Sequence, residues 1–173
     1  MNSNLSDLLK RNDIDEELFN KVIYDYFILS IFEDLYYYLL DETNKHNLII
    51  QLRNTDDKCK VIENKILEVC GIKLNSNEVK YLTDICIASI NKKEYRNTIT
   101  KSEKELLLNK QDNKCGLCNK YIDISNSHYD HIIPWTWVGD ELSNNYQMLC
   151  TNCNLKKSNS IIYSIKTFLK IKL

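Results

Sequence analysis

Four of the seven cysteines fall in two pairs, Cys115-Gly-Leu-Cys118 and Cys150-Thr-Asn-Cys153, and no other feature limits the folds open to this chain so tightly. Each pair sets two thiols on one tight turn. Two such turns converge on one tetrahedral ion at Zn–S distances of about 2.3 Å. The rival readings are local disulfides and a redox CxxC. No thioredoxin-like βαβ pattern surrounds either pair, and no charged lead followed by an apolar run opens the chain. A cytoplasmic, reducing compartment and a structural Zn2+ are therefore expected. Four sulfur ligands close the coordination sphere, so that ion would hold the fold and could not activate water. The remaining cysteines, Cys59, Cys70 and Cys86, stand alone in helical patterns, as small buried thiols do.

Ahead of the first pair the pattern is helical. With three glycines and one proline in 173 residues, a turn-rich all-β architecture is disfavoured. Apolar residues recur at helical spacing through Ile14 to Phe27, Leu29 to Leu40, Val61 to Val69 and Val79 to Ile90, and Leu48 to Leu52 leans the same way. Asp13, Ser76 and either Thr100 or Ser102 are the N-caps this pattern offers, with Ser102 and Glu105 as a capping box, and Gly71 is a stop. The expected fold is mainly α with a small α+β domain: residues 1–99 a helical domain of unknown role, residues 100–173 a zinc-stapled domain. The tail, Ile161 to Leu169, repeats at helical spacing and is expected to dock on the core. The most apolar stretch, Phe27 to Leu40, is broken by Glu33 and Asp34 and spans no membrane.

Net charge is −1, which announces no nucleic-acid binder, yet the charge is unevenly spread. Residues 1–99 carry 13 basic side chains against 17 acidic ones, and residues 100–173 carry 10 against 7. The C-terminal part is the one suited to phosphates. Tyr36, Tyr37 and Tyr38 read as core plus rim rather than a base-stacking platform. Trp135 and Trp137, taken as alternating on an extended segment, read as packing groups.

Between the cysteine pairs, Tyr121 to Ile124 and His128 to Pro134 read as a hairpin turning at Ser125 to Ser127. Asp130 and His131 are adjacent, and a regular strand would part their side chains. Phosphodiester cleavage needs an electrophilic metal, a base for water and neutralisation of the leaving oxygen. Asp130 and Asn154 offer oxygen ligands for a hard divalent cation, and a histidine neutral near pH 7 suits the base. Residues alone leave this open, since an Asp-His pair is common by chance.

The order CxxC, Asp130-His-Ile-Ile-Pro134, Asn145, then Leu149-Cys150-x-x-Cys153-Asn154-x-x-Lys157 resembles the HNH family of ββα-metal nucleases in its zinc-containing form. Pro134-Trp-Thr-Trp-Val138 is similar to an aromatic segment in one subgroup of that family. The resemblance covers about residues 100–160. It implies a ββα-metal domain in which Asp130 ligates the catalytic ion and His131 is the general base. Asn145 would orient the loop bearing the histidine, and Asn154 would be the second ligand. Asp and Asn in place of histidine ligands favour Mg2+ or Mn2+ at that site, and Ser158, where the colicin-like branch has a further histidine, excludes its all-histidine site. Lys156, Lys157 and His128 are the candidate nucleic-acid contacts.

The implied function is a metal-dependent endonuclease on DNA, in restriction, phage defence or mobile-element processing, acting alone, as a homodimer or with a protein partner. The alternatives are a non-catalytic zinc-stapled binding module and a nuclease effector controlled by a partner on the helical domain.

Overall fold

The computed structural model describes residues 3–160 and is helical except for one two-stranded sheet. The expected tail lies outside the described residues. In chain order the elements are α1 (Ser3–Arg11), α2 (Glu16–Leu39), α3 (Glu42–Arg53), α4 (Lys58–Cys70), α5 (Ser76–Ile90), α6 (Lys101–Lys110), β1 (Ser127–His131), α7 (Trp135–Val138), β2 (Tyr146–Cys150) and α8 (Thr151–Lys157). Among the described residues no helix is long and apolar enough to cross a membrane.

The chain forms two compact units, each discontinuous in sequence. One gathers Thr98–Pro134 with the stretch up to Tyr26 and the stretch from Asn145 on; the other joins Phe27–Asn97 to Trp135–Asn144. Helix α2 runs through both. The two apolar series read on either side of residue 28 are thus one helix of 24 residues.

The second unit is a helical core in which Phe32, Ile62, Leu82 and Ile85 have no exposed surface. Cys86 lies fully buried among them, and that burial, with Cys70 nearby, pushes its thiol up to about 12. Tyr36 stacks on Trp137 at 4.9 Å and 18°, whereas Tyr37 is 60% exposed and Tyr38 accepts a hydrogen bond from Lys65 Nζ at 3.2 Å. The triple tyrosine is core plus rim. The tryptophan segment is not extended: it forms the single turn α7, closed by Gly139 N–H on the Trp135 carbonyl at 2.8 Å. Gly139 takes φ of 64°, which a side chain rarely tolerates.

Several caps fall one or two residues from their expected places. Asp13 does not start α2; at φ of 52° it ends α1, with Asp13 N–H on Lys10 and Ile14 N–H on Leu9, the paired bonds of a Schellman stop. Asn75 with Glu78 forms the capping box of α5 in place of Ser76, and Thr100, one of the two caps expected for α6, forms its box with Glu103 in place of Ser102 with Glu105. Gly71 is the expected left-handed stop of α4, at φ of 68°.

The expected hairpin is also absent. Asp123 accepts from the backbone of Ser125 at 2.8 Å and of Asn126 at 3.1 Å, so the segment before β1 curls into a side-chain-mediated turn instead of a strand. The antiparallel partner of β1 is β2, with Ser127 opposite Cys150, Asp130 opposite Gln147 and His131 opposite Tyr146. Helix α8 follows β2 directly and packs on both strands, giving a β-β-α unit.

Candidate metal centre and active site

The cysteine cluster is built from both ends of that unit. Cys115 and Cys118 lie on the loop after α6, Cys150 ends β2 and Cys153 sits in the first turn of α8. All four Sγ atoms lie within 4.8 Å of one another. Cys118 and Cys150 are 3.8 Å apart, and a tetrahedron with bonds of about 2.3 Å has edges of about 3.8 Å. The donor set and its spacing fit one zinc ion.

Local polarity fits thiolates as well. Burial pushes the Cys115 thiol up, but backbone N–H groups of Cys118, Cys150 and Leu117 outweigh it and hold the thiol below its ordinary value. Cys153 is pushed up, by burial first and then by the charge on Cys115. A cation at the centre of the cluster would favour the thiolate form, which is the form that binds metal. Ser127, opposite Cys150, has a buried hydroxyl with no hydrogen-bond partner among the described residues.

Around the cluster packs a small core of Leu108, Ile122, Met148 and Leu149. Gln111 completes it by a route the sequence did not signal. Its side chain accepts from Met148 N–H at 2.7 Å and donates to Met148 O at 3.0 Å, pairing the free edge of β2 as a strand would.

On the sheet, register parts Asp130 from His131, as adjacency in a strand requires. Asp130 shares a face with Gln147, which donates to its Oδ2 at 3.2 Å. His131 is the last residue of β1 and is 8% exposed. Its ring meets Tyr146 edge-on at 4.9 Å, and Tyr146 stacks on Tyr129 at 4.8 Å.

Asn145 is buried and clamps the segment just beyond the histidine. Its carboxamide accepts from Ile133 N–H at 2.7 Å and donates to Ile133 O at 2.9 Å, while its backbone carbonyl takes Ile132 N–H at 2.9 Å. Three bonds from one residue thus fix the chain two residues after His131.

Helix α8 carries the remaining candidates on different faces. Lys156 is exposed. Lys157 is 2% exposed, and its ammonium lies 3.0 Å from Asp130 Oδ2 and donates to the His131 carbonyl at 2.6 Å. Of the two adjacent lysines, only Lys156 presents its charge to solvent. Asn154 is half-buried one turn before Lys157, and residues three apart share a helix face. His128 is exposed, 3.1 Å from Thr151 Oγ1.

Residues 115–160 match the family model described as HNH endonuclease. The chain carries an HNH domain. Neither a curated protein nor a solved structure matches it. The HNH match begins at the first cysteine of the cluster and ends just past α8, so it takes in the whole β-β-α unit. It points to a nuclease-type function. Gln111, Gln147 and the Lys157–Asp130 pair are the site features the sequence did not disclose.

Proposed function

We propose that this chain is a metal-dependent HNH endonuclease that hydrolyses DNA phosphodiester bonds. The observation that carries the reading is the β-β-α unit over a four-cysteine cluster, with Asp130 on β1 paired to Lys157 of α8, the helix that also bears Asn154. Residues 100–173 supply the nuclease site, although Trp135–Asn144 belong to the helical unit, and residues 1–99 are a helical part whose role this site does not define.

Asp130 and Asn154 would hold a divalent ion, and the oxygen donors suit Mg2+ or Mn2+. Among the described residues both partners of the Asp130 carboxylate sit on Oδ2, which leaves Oδ1 for a ligand. When bound, such an ion supplies positive charge to the phosphate and the leaving oxygen. His131 takes the proton from the attacking water. Tyr146 holds its ring edge-on, and Asn145 fixes the backbone that follows it. Lys156 and His128, both exposed, meet the DNA backbone. The cysteine-bound zinc takes no part in bond breaking.

Restriction, phage defence or mobile-element processing is the setting this chemistry suits. Plasmid nicking with Mg2+ or Mn2+ tests the reading. His131→Ala should lose about 10²–10⁴-fold in rate while keeping its zinc. An inert wild type, or an alanine variant that cuts as fast, removes the catalytic claim and leaves a zinc-stapled binding module.

A further inference from the structure

We infer that Lys157 is a positioning residue of this site, a buried cation that orients the Asp130 carboxylate and lowers its appetite for divalent metal. The inference rests on the divalent-ion reading of Asp130. Its starting point is burial: a lysine 2% exposed must have its charge answered, and here two groups answer it. Asp130 Oδ2 lies 3.0 Å away and the His131 carbonyl 2.6 Å.

Those partners belong to adjacent residues whose side chains the strand sends to opposite faces. Among the described residues Lys157 reaches both, one through its side chain and the other through its backbone. It thereby ties the end of β1 to the last turn of α8, three residues after Asn154. Gln147 adds a second donor to the same oxygen at 3.2 Å. Oδ2 is thus held from two sides, and both partners leave Oδ1 to a ligand.

The ammonium also sets charge. Asp130 and Lys157 together are neutral, so a divalent ion on Oδ1 shares its carboxylate with a cation already in place. Removing the ammonium has two opposed consequences. The carboxylate loses its anchor, which weakens binding slightly, and the site gains one net negative charge in a half-buried setting, which strengthens it more. Tighter metal binding and slower cleavage should therefore appear together. A lysine serving the fold alone gives a different result, because a loosened site binds less tightly and cuts more slowly.

The test uses the full chain with its zinc in place. Mn2+ binding is followed by the EPR signal of free Mn2+, without DNA, and cleavage is measured at saturating Mn2+. Lys157→Gln should bind Mn2+ about five- to tenfold more tightly and cleave at least about tenfold more slowly. Lys157→Arg keeps the charge and should leave Mn2+ affinity near the wild-type value. Should Lys157→Gln lose zinc or its melting transition, Lys157→Met, which keeps the apolar stem, carries the same expectations. Unchanged or weaker Mn2+ binding in the neutral variant, or equal affinities in the Gln and Arg variants, overturns the inference. An inert wild type with an affinity shift as expected sinks the nuclease reading and leaves the charge role of Lys157 standing.

Discussion

Asn145 shows how much one buried side chain carries in a site this small. Its carboxamide satisfies both backbone groups of Ile133, and Ile133 is itself 1% exposed, so no water replaces those bonds. Asn145→Ala leaves a buried N–H and a buried C=O unpaired, a cost of about 2–4 kcal/mol. Urea unfolding of wild type and variant should show that drop. A midpoint shift too small for 1 kcal/mol would mean that the segment after His131 finds other partners. Residue roles of this kind were partly legible. Asn145 stood out through resemblance to a motif, but its actual partner, the Ile133 backbone, depended on a strand pairing that the sequence did not disclose. Lys157 was read by its type, as a cation for phosphate. Its partners in the structure are Asp130 Oδ2 and the His131 carbonyl, which its residue type alone does not name.

At the scale of elements, the sequence spoke clearly where periodicity or a cap is local and poorly where pairing is distant. Gly71 and the helices α4 and α5 follow from patterns within 15 residues. The partner of β1 did not, because Asp123 takes the intervening segment out of β geometry with its own side chain, and β2 lies beyond the tryptophan turn. Once β1 and β2 pair, the sheet has only two strands, too few for independent stability in water. The cysteine cluster and Gln111 supply what is missing. Cys150→Ser removes one of four ligands and should abolish both zinc binding and the cooperative melting of the β-β-α unit. An unaltered melting profile with full zinc content would contradict the staple. Gln111→Leu keeps the volume but strips β2 of its edge partner at Met148, leaving the Met148 N–H without its acceptor while the carbonyl keeps Gly116 N–H at 3.0 Å. A loss of about 1–3 kcal/mol is expected from the same denaturant series, with zinc retained.

For the whole molecule, the chain passes between its two units at Tyr26–Phe27, Asn97–Thr98, Pro134–Trp135 and Asn144–Asn145, so the HNH segment lends Trp135–Asn144 to the helical core. Trp137, stacked on Tyr36, is an anchor of that core and is 9% exposed. Stability of the two units nevertheless has separate sources. Helices α4 and α5 are held by Ile62, Ile66, Leu82 and Ile85, each at most 1% exposed, whereas β1, β2 and α8 surround the cysteines. If the cysteine cluster holds zinc, stripping it with a strong chelator should therefore unfold one unit and spare the other. Hydrogen exchange followed by mass spectrometry ought to show β1, β2 and α8 losing protection, with α4 and α5 keeping theirs. If protection in α4 and α5 vanished at the same chelator concentration, the helical core would be drawing its stability from the metal and not from its own buried aliphatic side chains.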